Sequence, residues 1–286
     1  MRRVPVSRPA TKEELQIARQ LCPDLSWDDA AVNEGGQFHK VIIANPQAVI
    51  RMARTPQATE QMPRTLDLLD RLESQLDYQI PVATSQILSV DGLSTVAMSF
   101  IPGSAHEPHY GDPQVLGKVV KDLAEIPLEP ISDHLATPFA FRGPWTEERQ
   151  QQCYDALPDE LRPAARSLWA QLDELAQVPA ALVHGDLAGH NMHWVGEELI
   201  GILDWDLAAA WDPALNTAYL SLWHGLEMVD LIAPSPDEAC RAKIWLGLMS
   251  LERLSDTLSR TDNPKMGKLM RKIGPRILNA AEAVLV

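Results

Sequence analysis

Leu182-Val183-His184-Gly185-Asp186-Leu187-Ala188-Gly189-His190-Asn191-Met192-His193-Trp194, followed by Leu199-Ile200-Gly201-Ile202-Leu203-Asp204-Trp205-Asp206, is the stretch from which the rest of the chain is read. It has the pattern of a buried strand, a polar loop, a short strand, a tight turn at Gly196-Glu197-Glu198, a second apolar strand and an acidic exit. A hairpin of this kind can aim Asp186, Asn191 and Asp204 into one cleft. One carboxylate is then available as a base, beside a carboxamide and a second carboxylate that together can hold Mg²⁺. Phosphoryl transfer needs that set: a base for the attacking hydroxyl, and oxygen ligands for the metal that bridges nucleotide phosphates. A polar turn that uses Asp and Asn for backbone geometry explains one such residue, but not three at this spacing.

His184-Gly185-Asp186-Leu187 with Asn191, then Ile202-Leu203-Asp204-Trp205-Asp206, resembles the catalytic and metal-binding motifs of the aminoglycoside/macrolide phosphotransferase family. Its specificity lies in the joint pattern, with Asn five residues after Asp186 and Asp-Trp-Asp thirteen after the Asn. The resemblance implies an α+β, bilobal, protein-kinase-like fold: a small antiparallel-sheet nucleotide-binding lobe over residues 1–102, and a larger, mainly helical catalytic and substrate-binding lobe over 103–286. It implies Asp186 as catalytic base, Asn191 and Asp204 as Mg²⁺ ligands, and ATP or GTP as donor to a hydroxyl of a small molecule, a macrolide or aminoglycoside antibiotic. Residues 32–54 look closer to the macrolide enzymes. Asp206 receives no metal-ligand role.

The chain has 286 residues, enough for two lobes with a substantial core. Its formal net charge of −14 argues against nucleic acid as a partner, because phosphate binding demands a basic face. An acidic surface would instead attract cationic small molecules, although a solvated exterior explains most of that charge. Cys22, Cys153 and Cys240 are odd in number and widely spaced, which fits a reducing cytoplasm and no disulfide framework. Met1 to Pro9 is basic without the apolar core of a signal peptide, and no apolar run is long enough to span a membrane.

In the first lobe, Thr11-Lys12-Glu13-Glu14 reads as a capping box opening an amphipathic helix. Extended segments are expected at 30–33, 38–44 and 48–53, the last two joined by a turn at Asn45-Pro46-Gln47. Gly35 and Gly36, in the first connection, suit a loop whose backbone approaches nucleotide phosphates. Arg51 on the following strand can hold phosphate bidentately, while Arg54 points to the other face. Helix 57–76 is expected to start after Pro63. The resemblance implies a glutamate early in this helix, paired with the basic strand residue. Thr65 stands there, and neither Glu60 nor Glu73 is in register. Either another acid orients Arg51 or the nucleotide is held less firmly. Strands at 84–88 and 95–101 around Asp91-Gly92 close the sheet, and the resemblance places the nucleotide base against backbone near Ser99 to Ile101.

In the second lobe, Asp112-Pro113 opens a helix to about residue 126, an irregular Pro-rich connector follows, and a long helix is expected over 159–177. Helices near 213–224, 237–259 and 264–283 complete the chain. The resemblance implies an Asp that braces the catalytic loop three residues after Pro213, where Asn216 stands. Glu227, Asp230, Asp237, Glu238, Glu252 and Asp256 could bind a cationic acceptor, but solvated helix faces are the simpler explanation. His184 reads as scaffold, and Trp205, Trp211 and Trp223 read as core. His184, His190 and His193 lack the spacing of a zinc site. A metabolic small-molecule kinase is the alternative within the enzyme class. From another class, a nucleotide-binding regulatory protein with little turnover is motivated by Thr65 and Asn216.

Overall fold

The computed structural model describes residues 7–44, 47–260 and 265–284. The basic start of the chain, the Asn45-Pro46 part of the expected turn and the expected helix start at Pro264 lie outside or across these limits. The chain divides into two compact units: residues 1–105, 133–135 and 190–206 in the first, and 106–132, 136–189 and 207–286 in the second.

The first unit is built on an antiparallel sheet. Its elements begin with β1 (Ser7–Pro9), α1 (Lys12–Leu21), β2 (Ala31–Asn33), β3 (His39–Ala44) and β4 (Ala48–Ala53). They continue with α2 (Pro56–Leu72), β5 (Leu88–Val90) and β6 (Leu93–Ser99), and the strand order is β1-β2-β3-β4-β6-β5. The period of two along β4 decides what each face does. Ala48, Ile50 and Met52 join Val32, Ile42 and Ala97 in a core capped by Ala18 of α1 and by Trp27. Arg51, between them, points to the opposite face, and α2 packs against β4 and β6.

Thr11 caps α1 as expected, its hydroxyl accepting from the Glu14 amide while the Glu14 carboxylate accepts from the Thr11 amide. The same carboxylate, 4% exposed, also accepts from Arg8 of β1 at 2.7 Å and Lys40 of β3 at 2.8 Å. One side chain thus closes a helix end and pins that helix to two strands.

The structure departs from two sequence expectations. Pro63 does not delay α2, because Thr55 accepts the Ala58 amide at 3.1 Å and Pro56 takes the first turn, so the helix is already running. Pro63 lies on its exposed side. No strand spans 84–88. Thr84 donates to Ala97 O at 2.8 Å, but the Ser85 hydroxyl accepts the Ala97 amide, which diverts the chain from the ladder until Leu88. The Asp91-Gly92 turn is present, with φ of 51° and 78°, the left-handed pair that a two-residue hairpin requires.

The second unit is mainly helical. It contains α3 (Pro113–Glu125), α4 (Glu147–Ala156), α5 (Arg162–Ala170), α6 (Leu172–Leu175) and β7 (Ala181–Val183). The chain then passes to the first unit for β8 (Met192–Val195) and β9 (Glu198–Ile202). It returns with β10 (Ala209–Trp211), α7 (Ala214–His224), α8 (Val229–Ile232), α9 (Pro236–Arg260) and α10 (Met266–Val284). Leu168 of α5, Leu215 and Ala218 of α7, Leu248, Leu251 and Leu254 of α9 and Ile273 and Ile277 of α10 share one core. The helix expected over 159–177 is broken: Pro163 lacks an amide hydrogen, and a 3₁₀ turn at Asp159–Leu161 precedes α5. Helix α4 and the pairing of β10 with β7 were not anticipated. Among the described residues, no helix is long and apolar enough to cross a membrane.

The division at residue 102 follows chain order, whereas contacts assign residues 190–206 to the first unit. The β8–β9 hairpin is bonded there on both sides. Gln79 exchanges bonds with Ile200 and Ile202 at 2.8 and 3.0 Å, and Ser104 does so with Trp194 at 3.1 and 2.9 Å. Two glycines allow this approach: a Cβ on Gly201 would stand 2.5 Å from Gln79 O, and one on Gly103 2.5 Å from Trp194 O.

The Glu14 carboxylate is held well below its ordinary value, chiefly by hydrogen bonding to Arg8 and also by Lys40 and the Thr11 amide. Its folded-state pKa is depressed, so its stabilisation is complete above the ordinary value of 4.5 and is lost as pH falls through the folded one. Glu14→Ala should therefore cost about 3 kcal/mol in urea unfolding at neutral pH, with the deficit shrinking toward pH 3.

Candidate active site

In the first unit, the hairpin that carries the metal-ligand candidates ends where Met192 pairs with Ile202. One step beyond, the Leu203 amide donates to Asn191 O at 2.8 Å, which ties the two exits together. Asn191 and Asp204 therefore flank the open end of one short ladder. Asp204 is exposed and has a φ of 67°, a left-handed conformation that turns the acidic exit sharply. Trp205 is buried behind it, donating to Ile202 O at 2.9 Å.

The donor chemistry fits Mg²⁺. A carboxamide oxygen and a carboxylate are hard ligands held on adjacent strand exits, and no thiolate or imidazole is needed to complete such a pair. Bound there, Mg²⁺ would supply positive charge against the oxygens of a nucleotide phosphate chain.

Gly35 and Gly36 lie in the connection between β2 and β3. The Asn33 side chain accepts the Gly35 amide at 2.8 Å, and Arg54 donates to Glu34 O and Gly36 O at 3.0 and 2.8 Å. Arg54 thus shapes the loop from the face of β4 opposite Arg51, a role its sequence position alone did not suggest. Gly36 is sterically required, since a Cβ there would meet His39 O at 2.4 Å. Ser99 donates its amide to Val82 O at 2.8 Å, and Ile101 O accepts from the His193 ring at 3.0 Å. Neither bond uses the Ile101 amide.

Arg51 has an acidic partner, and it is Asp206. The Arg51 Nη2 donates to Asp206 Oδ2, and the Thr65 hydroxyl donates to Asp206 Oδ1 at 3.0 Å. Arg64 donates to Asp206 O at 2.8 Å. The His39 Nδ1 lies 3.1 Å from the same Arg51 nitrogen. Burial, with the Arg51 charge adding to it, lowers the His39 pKa to about 4, so the ring is neutral at pH 7 and accepts from Arg51. Thr65, fully buried in the structure, and the place of Asp206 in the Asp-Trp-Asp run are both evident in the sequence as positions. What could not be read there was that a loop 155 residues from Arg51 returns to it.

Asp186 belongs to the second unit and sits on a loop with little freedom. Gly185 has a φ of 85°, and a Cβ on it would lie 2.2 Å from Leu207 O. His184 is fully buried, its Nδ1 accepting the Asp186 amide at 3.2 Å, which is the scaffold role expected of it. Ala188 donates to Asp186 O at 2.7 Å, and Gly189 is pressed against the Trp223 indole.

Asn216, fully buried on α7, accepts the His184 amide at 3.1 Å and donates to Leu182 O at 3.0 Å. A carboxylate could make only the first of these bonds. The neutral residue thus braces both the strand and the loop it feeds. Its helix is fixed in turn by buried Asp212, which accepts from Ala214, Arg241 and Trp245. The acids of 227–256 do not converge: Asp230 pairs with Lys243, Asp237 with Arg241, and Glu252 and Asp256 share Arg142.

The model of the Phosphotransferase enzyme family (APH) matches residues 31–231. Viomycin phosphotransferase of Streptomyces vinaceus is 29% identical over 230 residues, covering 74% of this chain and 79% of that protein. Among solved structures, the GDP and kanamycin complex of APH(2″)-IIia aligns over 94% of this chain and 99% of its own, with a TM-score of 0.75 at 17% identity. Macrolide 2′-phosphotransferase MphH from Brachybacterium faecium aligns over 96% and 98%, with a TM-score of 0.68 at 19% identity.

The bracing role of Asn216 predicts that Asn216→Asp loses the bond to Leu182 O and sets a carboxylate against that carbonyl. Stability should fall by about 2 kcal/mol at pH 7, measured by urea denaturation, with partial recovery at low pH where a protonated Asp can donate again. The match over residues 31–231, together with the kinase-like fold, makes this chain a member of the Phosphotransferase enzyme family, a small-molecule kinase acting on hydroxyl groups.

Proposed function

We propose that this protein moves the γ-phosphate of ATP or GTP to a hydroxyl of an antibiotic, in a Mg²⁺-dependent reaction in the cytoplasm. The observation that carries the reading is the pair of oxygen donors, Asn191 and Asp204, fixed on the joined exits of one hairpin in the unit that also holds Arg51 and the Gly35-Gly36 loop. Nucleotide binding is assigned to the 1–102 lobe together with that hairpin. Gly35 and Gly36 face the phosphates, and the base lies against backbone between Ser99 and Ile101. Substrate binding and catalysis are assigned to the lobe from 103 onward.

Asp186 accepts the proton of the attacking hydroxyl and orients it for in-line displacement. Its loop, braced by His184 and Asn216, limits the conformations open to that carboxylate. The relatives support an antibiotic acceptor: one acts on viomycin, one binds kanamycin beside GDP, and one is a macrolide enzyme. The two features that motivated a regulatory reading have physical substitutes here, since Asp206 partners Arg51 and Asn216 braces the loop with two bonds.

The test is mass spectrometry of viomycin, aminoglycosides, macrolides, amino alcohols and sugars incubated with the protein, Mg²⁺ and either ATP or GTP. One acceptor should gain a phosphoryl group, and Asp186→Ala should slow that gain by about 10²–10⁴-fold. Nucleotide binding should survive in the variant. Turnover by Asp186→Ala at the wild-type rate would refute the assignment of the base.

A further inference from the structure

Arg51, Arg64, His39, Thr65 and Asp206 form one half-buried cluster in the first unit, with Arg51 and Asp206 side chains 12% and 14% exposed. Its charges do not cancel. The Arg51 guanidinium meets the Asp206 carboxylate and the Arg64 guanidinium the carbonyl of the same residue, while His39 is neutral, so one positive charge is left over. The arrangement of bonds decides which atoms carry that surplus. Arg51 spends a single nitrogen, Nη2, on both Asp206 and His39, so neither bond engages Nη1 or Nε.

Asp206 itself is fixed at three atoms: Oδ2 by Arg51, Oδ1 by the Thr65 hydroxyl at 3.0 Å, and its carbonyl by Arg64 at 2.8 Å. Apart from Arg51, the carboxylate is bonded by the Thr65 hydroxyl, and its backbone is anchored by Arg64. It sets where the Arg51 Nη2 lies.

We propose that Asp206 is the positioning residue for Arg51: its carboxylate, held by the Thr65 hydroxyl on a backbone that Arg64 anchors, holds the guanidinium so that its remaining edge meets a nucleotide phosphate. This rests on the phosphotransferase reading of the preceding subsection. Asp206 also lies two residues after Asp204, so one short loop serves both the metal-ligand carboxylate and the arginine grip. The proximity of Thr65 makes the idea open to a compensation test. Its hydroxyl lies within hydrogen-bond distance of the carboxylate, so an acid placed at 65 can reach the space that a truncated Asp206 leaves.

The experiment titrates the full-length protein with ADP and with GDP in Mg²⁺ by calorimetry, for wild type, Asp206→Ala, Asp206→Asn, Thr65→Glu and the Asp206→Ala/Thr65→Glu double variant. Binding of neither nucleotide by wild type would sink the phosphotransferase reading itself and the inference with it. With wild-type binding in hand, Asp206→Ala should weaken affinity about tenfold or more, and the double variant should regain most of that loss. Affinity in Asp206→Ala that is unchanged or tighter, or a double variant no better than the single one, would overturn the proposal. Asp206→Asn preserves the volume and a bond to Thr65 but removes the charge, and so guards against a loss of fold. It too must bind more weakly than wild type, and wild-type affinity in that variant would equally overturn the proposal.

Discussion

The ion pair between Arg51 and Asp206 is the constraint on which the first unit depends. Arg51 stands on a central strand whose other face is apolar core, so a charge at that position must be paired or be bound to a ligand. Asp206 can reach it only because the hairpin before it is bonded to Gln79 on one side and Ser104 on the other. Without those bonds, which Gly201 and Gly103 make sterically possible, residues 190–206 would have no fixed place in this unit. The sheet, α2 and the acidic exit are thus tied together by one carboxylate. Asp204 inherits its position from the same tie.

The second unit uses a different device for Asp186. There the neutral carboxamide of Asn216, rather than a charge pair, joins a strand carbonyl to a loop amide. Charge is spent one layer further back, where Asp212 collects Arg241, Trp245 and the first amide of α7. Keeping the carboxylate away from the loop leaves the field around Asp186 less negative than an Asp at 216 would make it. Burial and the charges of Glu252 and Asp186 keep the Tyr219 phenol protonated, its pKa pushed up well beyond the ordinary value.

Local signals were the legible ones. Thr11 and Glu14, Asp112-Pro113 and Asp91-Gly92 each carry their own geometry, and each formed the predicted cap or turn. The strand alternation that separates Arg51 from Arg54 was readable for the same reason. Expectations failed where a neighbour in sequence misled. Pro63 reads as a helix breaker, yet Thr55 and Pro56 had already started the helix. Ser85 reads as a strand residue, yet its hydroxyl takes a ladder position. Within the site, the motif residues were apparent from type and spacing. The partner of Arg51 was not, because it depends on a contact across most of the chain. Thr65 marked the gap in the pattern but could not say what filled it.

The central claim is that Asn191 and Asp204 hold a metal through which this unit binds a nucleotide. It is tested most directly by measuring the affinity for ADP and for GDP in Mg²⁺ and in EDTA, for wild type and Asp204→Ala. The account predicts that Mg²⁺ tightens binding by wild type and that the variant, folded by circular dichroism, loses the metal dependence. Equal affinity with and without Mg²⁺ in wild type, or an undiminished Mg²⁺ effect in Asp204→Ala, would contradict it.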